Sequence, residues 1–152
     1  MPARILSGRP LADARRRALA SRVERLRARG IIPRLCVIVP TVDRASAAYL
    51  RAKQRLGERL GIVVDPIHVE SPTTAGLIGR IAQLAEDPSV SGILIESPVP
   101  ECIDARAVCD TIPAAKDVDG AGVESMGRLL VGLPGFVPAT AAAVLVLLDG
   151  HA

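Results

Sequence analysis

Two short apolar runs, Leu35-Cys36-Val37-Ile38-Val39 and Gly92-Ile93-Leu94-Ile95, constrain this chain more than any other feature. Each is too short for a buried helix. Each is closed by turn formers: Pro33 and Pro40 flank the first, and Ser97-Pro98-Val99-Pro100 follows the second. Runs of this kind read as strands buried on both faces, the pattern of a parallel sheet covered by helices. A third run over 62–69 carries Pro66, which predicts an edge position or an interruption.

The segments between the strands read as helices. Residues 11–29 place Leu, Ala and Val among Arg with no Gly or Pro, and Gly30 stops them. Residues 46–60, ended by Gly61, and 73–84 read the same way, with a short helix over 104–110. The stretch 113–140 holds five Gly and reads as loop, and 141–148 opens a further apolar helix. Alternating strands and helices predict an α/β fold, a three-layer αβα sandwich with a mostly parallel sheet. Binding chemistry then belongs at the C-terminal strand ends, near 40–43, 69–74 and 96–100.

Composition narrows the function. The chain has 152 residues, 49% hydrophobic and 23% charged, which excludes a mostly disordered chain. With one Phe, one Tyr and no Trp, the core is aliphatic, and stacking platforms for single-stranded nucleic acid are essentially lacking. No nucleic-acid partner is expected. The longest apolar stretch, 141–148, is far short of a membrane span, so no membrane partner is expected either. Cys36, Cys102 and Cys109 form no C-x-x-C pair, which suits a reduced, cytoplasmic setting. Charge is lopsided: residues 1–59 hold 15 Lys and Arg against 4 Asp and Glu, and the remainder holds 4 against 12. The basic half reads as a solvated Arg-rich helix face, or as a surface that attracts an anionic partner.

Few residues are suited to chemistry. Tyr49 and Lys53 lie four apart and share a helix face. Among 17 Arg and only 2 Lys, Lys53 is a group able to exchange a proton near neutral pH, which Arg is not. The pair is otherwise a surface Lys beside an amphipathic Tyr. Glu96 closes the 92–95 strand and reads as a ligand contact, a partner for Lys53, or a strand cap in solvent. Asp117 and Asp119 precede Gly120 in a polar turn that either solvates itself or grips the N–H groups of a ligand. His68 reads as a structural histidine, and His151 lies beside the terminus.

These segments resemble the N-terminal catalytic domain of the bifunctional methylenetetrahydrofolate dehydrogenase/methenyltetrahydrofolate cyclohydrolase family. Ser46-Ala47-Ala48-Tyr49-Leu50-Arg51-Ala52-Lys53 is similar to its Ser-x-x-Tyr-x-x-x-Lys segment, and Gly92 to Pro100 resembles its Gly-Ile-Leu-Val-Gln-Leu-Pro-Leu-Pro. Pro113-Ala114-Ala115-Lys116-Asp117-Val118-Asp119-Gly120 matches its Pro-x-x-Lys-Asp-Val-Asp-Gly, followed by Gly127-Arg128-Leu129. The resemblance implies a folate substrate and hydrolysis of 5,10-methenyltetrahydrofolate to 10-formyltetrahydrofolate, chemistry that asks for no metal. It implies that Lys53 handles the proton, that Tyr49 stacks on the folate, that Pro98, Val99 and Pro100 line the pocket, and that Asp119 holds the pterin.

Three departures stand out. The family's Gln is Glu96 here, and a carboxylate beside Lys53 would favour the charged ammonium and make it a poorer base. The family's His-Pro-x-Asn is replaced across Gly122, Val123, Glu124 and Ser125. Its Pro-Cys-Thr-Pro becomes Pro138-Ala139-Thr140-Ala141. The resemblance divides the chain into a catalytic domain over 1–140 and the start of an interdomain linker helix over 141–152. No Gly-rich dinucleotide fingerprint follows a strand. The expectation is therefore that the family's Rossmann cofactor domain is absent and that this chain holds no cofactor, NADP being expected in full-length relatives. The dehydrogenase step would enter only if such a domain is supplied. The expectation covers a fragment, a stand-alone domain, or a catalytically impaired paralogue that binds folate or a protein partner. A homodimer or a second-domain partner stays open.

Overall fold

The computed structural model describes residues 5–41 and 44–151, the side chains of 44 and 45 aside. Val42 and Asp43, at the predicted mouth of the first strand, lie outside the described residues, as do 1–4 and 152. Three parallel strands, β1 (Arg34–Val39), β2 (Val63–His68) and β3 (Gly92–Ile95), form a sheet in the order β2-β1-β3. Val37 of β1 lies opposite Pro66 of β2 on one side and Leu94 of β3 on the other. The central strand is the one with the uninterrupted apolar run. Pro66 sits on an outer strand, where a missing N–H breaks no ladder.

The two faces of β1 feed two cores. Cys36 and Ile38 face α3 (Thr74–Glu86) and α4 (Ala105–Asp110), packing with Leu77, Ile81, Leu84 and Val108. Val37 and Val39 face α2 (Arg44–Leu60) through Leu50. Helices on both faces make the three layers of the αβα sandwich. Side-chain caps set two helix starts: the Thr73 hydroxyl accepts from the Gly76 N–H, and the Asp104 carboxylate from the Ala107 N–H. At the N-terminal end of the sheet, Arg34 donates to Asp65 at 2.5 Å and to Ser89 at 3.1 Å. The bond to Asp65 holds its guanidinium above the ordinary value.

α1 (Arg9–Arg27) packs on α2, and α6 (Ala139–Asp149) lies near the start of α1. The ring of His151 lies 3.1 Å from the Ser7 carbonyl oxygen, so this histidine is held rather than frayed. Elsewhere α6 is bare: Val144, Leu145 and Leu148 are each more than half exposed. Leu130, Val131 and Leu133 are exposed as well. Among the described residues no helix is long and apolar enough to cross a membrane.

Three readings need correction. The stretch 113–140 is not all loop, because α5 (Val123–Leu130) lies inside it. Its short length and internal Gly127 hide the helix in the sequence. His68 does not act as a structural histidine: as the last residue of an outer strand it stands exposed, with no side-chain hydrogen bond among the described residues. The spacing of Cys102 and Cys109 is compatible with one helix face, but Cys102 precedes α4, which holds Cys109 alone.

The thiols differ sharply. Burial pushes both Cys36 and Cys109 up from the ordinary thiol value, and Cys36 is fully enclosed, whereas Cys102 is exposed. Because the thiolate is the reactive form, brief alkylation of the folded protein at neutral pH should label Cys102 first. Cys36 should lag by about 100-fold, reacting only as the sheet opens. Peptide mass mapping after a time course reads the order, and early labelling of Cys36 would contradict the packing described above.

Candidate active site

Ser46, Tyr49 and Lys53 recur at i, i+3 and i+7, so α2 presents them on one face. That face meets the end of β3. There the Glu96 N–H donates to the Ile38 carbonyl at 2.8 Å, extending the strand pairing by one residue and turning the Glu96 side chain inward. Lys53 Nζ donates to Glu96 Oε2 at 2.5 Å. The Glu96 side chain is only 5% exposed and that of Lys53 25%. The solvent-cap reading of Glu96 is thereby excluded: it is a buried carboxylate neutralised by the lysine. Such a pair must stay intact, because either partner alone leaves an uncompensated charge.

Lys53 Nζ also sits 4.3 Å from the centroid of the Tyr49 ring, a cation–π contact. Tyr49 is 63% exposed, so it is accessible to a ligand. The Ser46 hydroxyl donates to the Ser97 carbonyl at 3.4 Å, fastening the start of α2 to the turn after β3. In that turn Pro98 is exposed, while Val99 packs against the α3–α4 core and Pro100 is half-buried. The Ser97–Pro98 peptide is cis. Tyr49, Lys53, Glu96 and the Pro98–Pro100 turn therefore share one end of the sheet.

The polar turn after α4 divides its labour. Lys116 is structural: its ammonium donates to the carbonyls of Ala85 and Asp87, both at 2.7 Å, at the C-terminal end of α3. Asp117 is fully buried. Its carboxylate accepts from the Ser125 hydroxyl at 2.6 Å, the Gly122 N–H at 2.9 Å and the Ala121 N–H at 3.2 Å. The altered stretch 122–125 thus supplies two donors to Asp117, and a Cβ at Gly122 would come 3.1 Å from the Cys109 carbonyl oxygen. The Ile93 N–H donates to the Lys116 carbonyl at 2.8 Å, setting the turn beside β3. Asp119 remains exposed and has no side-chain hydrogen bond or ion pair among the described residues. Of the two carboxylates in the turn, Asp119 is the one left available to a ligand. It does not touch the Lys53–Glu96 pair.

A groove of about 610 Å³ between α1 and α2 runs past Tyr49 and Lys53. Glu96 and Asp119 are not in its lining. Two participants, Ser46 and Ser125, had no role assigned to them in the sequence. Ser46 had a signal in its helical spacing to Tyr49 and Lys53. Ser125 had none, because its partner lies eight residues away across a turn. No three His, Cys, Asp or Glu side chains converge as a metal site would require, among the described residues.

Residues 6–119 match the family described as tetrahydrofolate dehydrogenase/cyclohydrolase, catalytic domain. A relative from Frankia casuarinae, "Bifunctional protein FolD 1", is 40% identical over 145 residues, which cover 95% of this chain and 52% of that one. The solved bifunctional enzyme FolD of Campylobacter jejuni superposes with a TM-score of 0.91 at 33% identity, covering 96% of this chain and 52% of that one. The Trypanosoma brucei methylenetetrahydrofolate dehydrogenase-cyclohydrolase, solved with NADP cofactor and inhibitor, gives 0.89 at 28% identity over 99% and 53%. The chain spans about half the length of the curated relatives it matches.

Proposed function

We propose, because the chain belongs to the tetrahydrofolate dehydrogenase/cyclohydrolase family, that it binds a tetrahydrofolate at the C-terminal end of its sheet and hydrolyses the 5,10-methenyl form to 10-formyltetrahydrofolate. The observation that carries this reading is the buried Lys53–Glu96 pair set beside the open ring of Tyr49. Tyr49 stacks on the folate ring system. Asp119 accepts from the pterin amino and ring N–H groups, a charge-assisted match for an otherwise unengaged carboxylate. Pro98, Val99 and Pro100 form the wall opposite.

The methenyl carbon is already cationic, so the protein's task is to position water and receive a proton. The water oxygen bonds to the bridging carbon, and a water proton passes to the Lys53 amine. The carbon–N5 bond then breaks with its electron pair going to N5, which takes up the remaining hydroxyl proton as the C=O forms, leaving the formyl group on N10. One proton is released per turnover. The Glu96 carboxylate lies 2.5 Å from Lys53 Nζ, so its charge faces the very group that receives the proton. Glu96→Gln keeps a hydrogen-bond partner for Lys53 and removes the opposing charge. The expected result is a several-fold rise in turnover at neutral pH. Unchanged turnover in that variant would show that the carboxylate does not restrain the lysine.

Dehydrogenation of the methylene form needs a hydride acceptor. The loops after β1, β2 and β3 contain no glycine to bring backbone close to a pyrophosphate, so these residues do not fit a dinucleotide. We assign that step to a cofactor domain outside residues 1–140, with 141–152 as the start of the helix leading to it. The bare side of α6 and the exposed Leu130–Leu133 strip are the surface such a domain, or a second copy in a homodimer, would cover.

The test is loss of methenyltetrahydrofolate absorbance above the spontaneous rate, with Lys53→Met in parallel. Turnover that disappears in the variant supports the reading. Turnover equal to background in the unaltered chain overturns it in favour of a folate-binding or protein-interaction paralogue.

A further inference from the structure

We propose that the end of α1 and the turn into β1 form a surface that rests on an anionic lipid bilayer, with Arg22, Arg25 and Arg29 on the headgroup phosphates and Ile31 and Ile32 dipping between them. Arg22 and Arg25 lie three apart on α1 and share a face, and Arg29 stands in the turn that ends the helix. All three are exposed. None has an ion pair or side-chain hydrogen bond among the described residues, whereas Arg16 is taken up by Asp13 at 2.7 Å. Glu24, the nearest acid in sequence, lies roughly 100° round the helix from Arg25 and about 160° from Arg22. Ile31 and Ile32 follow directly and are 42% and 56% exposed. Val63, at the start of β2, is exposed as well and lines one hollow with Ile32, Arg27 and Glu58.

A bilayer surface answers both features of this patch. Its phosphates accept fork-like hydrogen bonds from guanidinium groups, and an apolar phase lies just beneath them for the isoleucines. A nucleic acid offers the phosphates without that apolar layer. Its bases would also need stacking surfaces, and neither Tyr49 nor Phe136, the two aromatics of the chain, lies in this segment. The contact is peripheral: that no described helix is long and apolar enough to cross a membrane bears on insertion alone. Its place in the fold is also suitable. Ile31 and Ile32 precede β1, so the patch lies at the N-terminal end of the sheet, whereas Tyr49, Lys53 and Glu96 gather at the other end. A chain resting on this patch keeps the candidate site turned to solution. Part of the excess positive charge of the first 59 residues thereby acquires a partner.

Each arginine at an anionic leaflet strengthens binding by about five-fold, an attraction that fades within a Debye length. Co-sedimentation of the 152-residue chain with vesicles tests the proposal, with phosphatidylglycerol and phosphatidylcholine in equal parts set against phosphatidylcholine alone. At low salt the chain should pellet with the anionic vesicles and stay in solution with the neutral ones, and about 1 M salt should release most of it. Arg22→Gln/Arg25→Gln/Arg29→Gln should weaken partitioning by about 100-fold, and Ile31→Ser/Ile32→Ser by about ten-fold. Arg106→Gln, exposed on α4 across the sheet, should change it by less than about two-fold. Melting temperatures of these variants should hold, because every altered side chain is exposed. No pelleting, or equal pelleting with both vesicles, would overturn the proposal. A triple variant that pellets like the unaltered chain would move the contact off this face and overturn it too. An isoleucine variant that binds undiminished, or a DNA duplex of equal phosphate content that binds as tightly as the vesicles, would overturn the bilayer as partner in favour of a bare polyanion. No folate enters the assay, so its outcome is independent of the proposed activity.

Discussion

Lys53→Met should lower enzyme-dependent methenyl hydrolysis by at least about 100-fold, the scale of a lost general base. The substitution keeps length and an apolar stem but removes the amine that touches both Glu96 and the Tyr49 ring. It has a second consequence. Glu96, with its side chain 5% exposed, would keep a carboxylate in a dry site with no cation opposite. Breaking a buried pair from one side costs about 3–5 kcal/mol, enough to unfold part of a marginal population. Lost activity alone would therefore confuse chemistry with folding. The double variant Lys53→Met/Glu96→Gln separates them. It should recover most of the melting temperature, because an amide tolerates the site without a counter-ion, and it should stay inactive. A double variant that turns over at the unaltered rate would remove Lys53 from the mechanism. One that stays both inactive and unstable would place the role of Lys53 in the architecture.

The sheet was legible because burial on two faces demands uninterrupted apolar runs, and this chain has two, at β1 and β3. Pro66 marked an outer strand for an equally local reason. α5 was not legible, because its stability does not reside in its own residues. An eight-residue helix capped by Gly122 and containing Gly127 has poor propensity. It is anchored by the Gly122 N–H and the Ser125 hydroxyl on Asp117, groups that come together only when the chain folds.

The candidate site divides along the same line. Tyr49 and Lys53 share a helix face that spacing reveals, and Ser46 completes it. Glu96 was placed at the end of its strand, but whether it faces solvent or Lys53 depends on how α2 packs across β1. That packing is set by Leu50 against Val37 and Val39, a tertiary fact. The turn shows the reverse case. Asp117 and Asp119 are indistinguishable two apart in sequence, yet one is sealed in and the other open, because the turn beside β3 encloses only the first.

That asymmetry gives a second large effect. Asp117→Ala should destabilise the protein by about 3 kcal/mol, since the buried Ser125 hydroxyl and Gly122 N–H lose their acceptor at roughly 1–3 kcal/mol each. For a domain of this size that is a fall in melting temperature of roughly 6–12 °C. The Ala121 N–H is nearer solvent and adds little. Asp119→Ala, two residues on, should leave the melting temperature within about 1 °C, because its side chain holds nothing in the fold. For folate affinity the expectations differ in kind. Asp119→Ala removes the carboxylate proposed to hold the pterin and should weaken binding at every temperature. Asp117→Ala acts by loosening the turn that carries Asp119, so its binding defect should shrink on cooling, as the folded population recovers. Thermal melts of both variants, with folate titrations at two temperatures, decide between the roles. A stable Asp117→Ala protein, or an Asp119→Ala protein that unfolds early, would reverse the assignment of the two carboxylates.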